Sequence, residues 1–187
     1  MGTVACFIDG GYLAKVLKNR FSCPKIDYSE LSREVALRIG PDTIILRTYY
    51  YDALPYKGNS PTEEDRERYD NKQRFLYTLN QLPRYEVRYG KCVQRPSGDG
   101  SPRYEQKQVD VLLSVDLAQL SAKGKINFSA IVGGDTDFVP AIEKAKVEGV
   151  MIYLFHEVGY PRNELWSIAD ERIPIDKALI DKITAKT

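Results

Sequence analysis

The chain is poor in the side chains that most metal cages and covalent hydrolases depend on. Its 187 residues include one histidine, His156, and three cysteines, Cys6, Cys23 and Cys92. An odd number of widely spaced cysteines with a single histidine makes neither a zinc pattern nor a disulfide framework, and a reduced, cytoplasmic compartment is expected. No apolar run approaches the length of a membrane span, so no membrane partner is expected. The N-terminus lacks a basic region followed by a long apolar one, so no secretory signal is read there. Met1-Gly2 is not a myristoylation start, because Cys6 stands where that motif needs Ser or Thr. There is no Gly-x-x-x-x-Gly-Lys loop, which argues against a P-loop nucleotide hydrolase. There is no excess of either charge: the formal net charge is +1, which counts against a strongly basic nucleic-acid binder. With 43% hydrophobic and 28% charged residues, the composition is that of a soluble globular chain, read as one domain over residues 1–187.

Aspartates that follow buried strands are present. Residues 126–138 read Ile-Asn-Phe-Ser-Ala-Ile-Val-Gly-Gly-Asp-Thr-Asp-Phe. Phe128 to Val132 is a short buried strand, Gly133 and Gly134 permit a tight turn, and helical spacing begins at Phe138 with Pro140 in the first turn. Asp135 and Asp137 therefore stand where a strand ends and a helix opens, the place where open α/β sheets bind ligands. One of them could serve only as a helix cap. The start of the chain repeats the layout: strand 3–8, then Asp9-Gly10-Gly11, then a helix from Tyr12 to Phe21.

Further along, helix 29–39 precedes strand 43–51, which ends at Asp52. A charged helix covers about 62–81, its polar first half a solvated face or an arm. Strand 85–94, a turn-rich loop 96–104 and a short return strand to Lys107 lead to a helix at about 109–123. Asp110 could cap that helix. Asp116 lies in its apolar middle and needs a cation, hydrogen bonds or a cleft, because a buried unpaired carboxylate is costly. Asp110 and Asp116 are about 240° apart around a regular helix, so they share a site only if the first turn is irregular or Asp110 precedes it. Strand 150–155, helix 162–169, strand 172–175 and a terminal helix from 176 complete the chain. Repeated strand–helix units predict a parallel sheet with helices on both faces. Asp9 and Asp135 then emerge at one sheet edge. If Asp110 and Asp137 join them, the group calls for a hard divalent cation, and with it phosphodiester hydrolysis.

The chain resembles the NYN-domain proteins of the LabA-like group, within the PIN-like nuclease superfamily. The likeness rests on Phe7-Ile8-Asp9-Gly10, Tyr49-Tyr50-Tyr51-Asp52, Val87-Arg88-Tyr89-Gly90, Lys107-Gln108-Val109-Asp110-Val111 with Asp116-Leu117, and Gly134-Asp135-Thr136-Asp137-Phe138. It implies a three-layer α/β/α PIN-like fold with a mainly parallel sheet. It implies a metal-dependent ribonuclease using Mg²⁺ or Mn²⁺, with Asp9, Asp110, Asp135 and Asp137 as ligands and Asp116 as a further catalytic acid. Lys107, Thr136 and Tyr12 would face the substrate, a single-stranded or structured RNA, and a homodimer is left open. Two positions depart from the pattern: Tyr12 where many relatives carry Asn, and Gly133 where Ser is common. The rival reading is a non-catalytic RNA-binding or protein-interaction module of the same fold. A haloacid-dehalogenase-type phosphatase fits less well, because its Asp-x-Asp normally opens the domain. Arg66, Arg68, Lys72 and Arg74 of the arm, with loop 96–104, are expected against an RNA backbone or simply in solvent.

Overall fold

The computed structural model describes residues 2–58, 60–96 and 102–185. Seven strands form one sheet in the order β4-β3-β2-β1-β5-β6-β7. They are β1 (Gly2–Asp9), β2 (Thr43–Ala53), β3 (Tyr85–Pro96), β4 (Pro102–Lys107), β5 (Phe128–Val132), β6 (Met151–Glu157) and β7 (Glu171–Ile175). Six strands are parallel; β4 alone runs antiparallel, as the return arm of a hairpin with β3. Loop residues 97–101 lie outside the described residues.

The helices are α1 (Gly10–Phe21), α2 (Tyr28–Ile39), α3 (Glu63–Asn80), α4 (Val109–Ala122), α5 (Val139–Val147), α6 (Glu164–Ile168) and α7 (Lys177–Ile183). β1 is buried on both faces, as a central parallel strand must be. Val4, Cys6 and Ile8 pack with Leu13, Val16, Leu31, Leu76 and Leu179, beneath α1, α2, α3 and α7. Ala5 and Phe7 pack with Leu113, Leu117, Ile142 and Leu165, beneath α4, α5 and α6. The result is the expected α/β/α sandwich.

The chain winds outward from β1 in two directions, through β2 and β3 on one side and through β5, β6 and β7 on the other. The reversal falls between β1 and β5. At such a switch point the two loops leaving the strands diverge and open a crevice at the carboxyl edge. A register shift between Val4 and Ala5, which passes over Leu46 of β2, sets Asp9 opposite Tyr51. Asp52 consequently lies one residue beyond Asp9 on the neighbouring strand.

Candidate acidic site at the strand C-termini

Asp9 ends β1 and caps α1: its Oδ1 accepts the Tyr12 backbone N–H at 3.0 Å. Gly10 starts the helix because nothing larger fits. A Cβ there would lie 2.6 Å from the Tyr50 ring and 2.7 Å from Asp52 Oδ2. Asp135, three residues beyond the end of β5, accepts the Asp137 N–H at 3.0 Å and caps the short 3₁₀ turn Thr136–Phe138. Both aspartates therefore do the capping work that their sequence context suggests. Capping does not exhaust them, because Asp9 is held in an acidic surrounding. Burial pushes its carboxyl pKa up; backbone N–H groups of Tyr12 and Gly11 oppose this, and the charges of Asp52 and Asp135 push it further up.

The third carboxylate of this edge is Asp52, read in sequence as a strand end and assigned no role. It is fully buried. Its Oδ1 accepts the Ala53 N–H at 2.8 Å, and its Oδ2 takes the ammonium of Lys72, from α3. The signal for it was the shared layout: Asp9, Asp52 and Asp135 each follow a buried strand at the same sheet edge. Lys72, expected with the arginines of the arm, instead turns inward. Among its neighbours, Arg68 pairs with Asp65 at 2.9 Å, Arg66 with Glu63 at 3.7 Å, and Arg74 donates to Asn71 at 2.6 Å.

Asp110 lies in the first turn of α4, which opens at Gln108 in the left-handed region, φ 72°. Lys107 ends β4 just before it. Gly90 of β3 allows that entry to come close, since a Cβ would meet Lys107 O at 2.7 Å. α4 packs on the Thr136–Phe138 turn, α5, β2 and β3. Thr136 and Asp137 are both exposed. Asp116 finds its compensation in hydrogen bonds: Arg88 Nε donates to it at 2.9 Å and the Tyr51 hydroxyl at 3.0 Å. Burial and the Asp116 charge together hold the Tyr51 hydroxyl well above the usual phenol range.

Tyr12 braces the crevice. Its hydroxyl accepts the Glu157 N–H at 2.8 Å, and burial pushes its pKa up to about 12. Its ring lies against Gly134, where a Cβ would come within 2.4 Å. Tyr160 holds the same turn from outside by donating to Gly134 O at 2.7 Å, and Asn163 donates to the Tyr160 hydroxyl at 2.9 Å. The aromatic at position 12 thus ties β6 to the turn that carries Asp135.

Among the described residues, no three His, Cys, Asp or Glu side chains gather closely enough to hold a metal ion. The expected cage of Asp9, Asp110, Asp135 and Asp137 is not drawn together; Asp135 turns back to cap its own turn, and Asp110 belongs to a separate helix. The raised Asp9 pKa and the all-oxygen donor set suit a hard divalent cation bound through one or two carboxylates, which is how Mg²⁺ is commonly held.

The profile of the NYN domain family matches residues 3–176. No curated protein matches the chain. A protein of unknown function from Vibrio parahaemolyticus has a similar fold, with a TM-score of 0.63 at 15% identity, covering 94% of each chain. MurG from Acinetobacter baumannii aligns at a TM-score of 0.42 and 9% identity, over 100% of this chain and 44% of that one. A Burkholderia thailandensis nucleoside kinase, solved with inosine, aligns at 0.35 and 14%, over 96% and 63%. These last two are too distant to bear on the site. From the family match, the chain belongs to the NYN domain family.

Proposed function

We propose that this NYN-domain protein is a ribonuclease of PIN-like type that hydrolyses RNA phosphodiester bonds with Mg²⁺ or Mn²⁺. The observation that carries the reading is Asp9, half-buried at the switch point with its pKa raised by desolvation and by Asp52 and Asp135. A half-buried carboxylate in excess of its local counter-charge is a natural place for a cation to dock. Asp9 and Asp135 would hold the metal, with waters filling the rest of its shell. When bound, such an ion lowers the pKa of a water and stabilises charge on a departing phosphate oxygen.

The chain's own groups supply the rest. The backbone caps fix Asp9 and Asp135 at the two lips of the crevice. Lys72 offsets the charge of the buried Asp52 beside Asp9. Thr136 offers a hydroxyl at the exposed lip, where a phosphate oxygen would approach, and Lys107 a cation near the start of α4. Asp116, bonded by Arg88 and Tyr51, ties α4 to the sheet and so positions Asp110.

A non-catalytic RNA-binding module is the second reading, and it has an observation of its own: among the described residues, no three His, Cys, Asp or Glu side chains gather closely enough to hold a metal ion. The test is incubation of purified protein with single-stranded and with structured RNA, in Mg²⁺, Mn²⁺ or EDTA. Cleavage that needs metal and is lost in the Asp9→Asn and Asp135→Asn variants supports the nuclease. Tight binding with intact RNA under every condition supports the module.

A further inference from the structure

A cleft of about 840 Å³ opens beside Asp52, at the carboxyl end of β2. That volume lies within the roughly 300–1,000 Å³ of nucleotide-sized and drug-sized ligand sites. Its lining is mainly apolar and aromatic: Leu54 and Pro55 after β2, Phe75 of α3, and the rings of Tyr56 and Tyr104. These two tyrosines come from the loop after β2 and from β4, and they meet with centroids 5.7 Å apart at a 35° tilt. Tyr104 nevertheless leaves 48% of itself in solvent. A large ring kept half exposed beside a second ring, both lining the cleft, suits base stacking better than a core role.

The polar lining narrows the choice of occupant. Lys72 stands at the inner end, shared between the cleft and Asp52, with its ammonium 5.6 Å from the Phe75 ring centroid. Glu64 and Glu67 also line the cleft. Carboxylates repel a phosphate but accept the N–H groups on a base edge. Arg68 lines the cleft too, but its guanidinium is paired with Asp65 at 2.9 Å, so an apolar pocket with acceptors suits a base whose phosphate lies toward Lys72.

We infer that this cleft holds one unpaired nucleobase of the RNA, stacked on the Tyr56–Tyr104 pair, next to the phosphate at the acidic crevice. The inference rests on the proposed action on RNA and names its substrate class: single strands and loops, whose bases are free to leave a stack. Bases within a duplex offer neither a free face nor a free edge.

The experiment is a binding titration in EDTA, which removes cleavage from the readout. A short fluorescein-labelled single-stranded RNA is compared with copies carrying an abasic residue at each successive position, using the wild type, Tyr104→Ala and Tyr104→Phe. In the wild type, an abasic residue at one position should weaken binding about 5- to 150-fold, the range of one base–aromatic stack. That position effect should vanish in Tyr104→Ala and return in Tyr104→Phe, with melting temperatures unchanged because Tyr104 is half exposed. An equal abasic penalty in the wild type and Tyr104→Ala, or none at any position, overturns the inference. If Asp9→Asn abolishes cleavage while this result is negative, the base site alone fails. If the wild type neither binds nor cleaves RNA, both readings fail.

Discussion

Asp9 caps α1 and is at the same time a half-buried acid among acids. Its folded pKa lies above the unfolded value, so the fold favours the neutral carboxyl. Stability therefore falls as pH rises from the unfolded value through the folded one, and ionised Asp9 is a burden at neutral pH. Asn caps a helix as well as Asp does. Asp9→Asn should accordingly raise the melting temperature in EDTA, by roughly 2–4 °C for each kcal/mol relieved, and should remove any rise that millimolar Mg²⁺ gives the wild type. A lowered melting temperature in EDTA would mean that the ionised carboxylate is not disfavoured. Lys72 is the converse case. Lys72→Met removes the ammonium beside the buried Asp52 carboxylate and should destabilise by about 3 kcal/mol in denaturant unfolding, the low end for a broken buried pair because the Lys72 head is partly exposed. Asp52→Asn combined with Lys72→Met should recover part of that loss; an unaffected single variant would show the pair to be unimportant.

At the scale of elements, the joint between β1 and α1 is tight. A methyl group at Gly10 would overlap the Tyr50 ring and Asp52 Oδ2, both packed in place. Gly10→Ala is expected to unfold the protein at lower denaturant, or to displace α1 and with it Asp9. Gly124, with open space around its Cβ position, sits in a left-handed conformation, φ 59°, so Gly124→Ala measures backbone strain without overlap and should be milder. The strand–carboxylate–glycine–helix layout was legible in sequence because both signals are local: β-branched runs mark the strands, and Asp-Gly marks the turn. α3 was legible for the same reason, with Thr62 and Asp65 forming a capping box at its start. The partners of Asp52 and Asp116 were not. Asp116 looked like an acid in need of a cation, hydrogen bonds or a cleft; it has hydrogen bonds, but its donors, Tyr51 and Arg88, lie 65 and 28 residues away in sequence. Lys72 resembled a solvated arm residue because helical spacing does not reveal which strand end a long side chain will reach. Tyr12 looked like a lost polar contact, and its bracing role depends on Gly134 and Glu157, far along the chain.

For the molecule as a whole, the strand order places the crevice between β1 and β5, and both lips of it carry an aspartate. Among the described residues no helix is long and apolar enough to cross a membrane. The near-neutral net charge means that long-range attraction to a phosphate backbone is weak, so RNA affinity should depend on local contacts and fall only gently with added salt. A steep salt dependence, of the kind made by many phosphate contacts, would contradict that. The central claim is that Asp9 and Asp135 together make a metal-dependent cleavage site. The most direct measurement is the single-turnover rate of single-stranded RNA cleavage in Mg²⁺, for the wild type and for folded Asp9→Asn and Asp135→Asn. Cleavage by the wild type is expected, with none in EDTA and a fall of about a hundredfold or more in each variant, as when one stabilising contact to the reacting charge is removed. Wild-type cleavage that persists in EDTA or survives in both variants would contradict the claim.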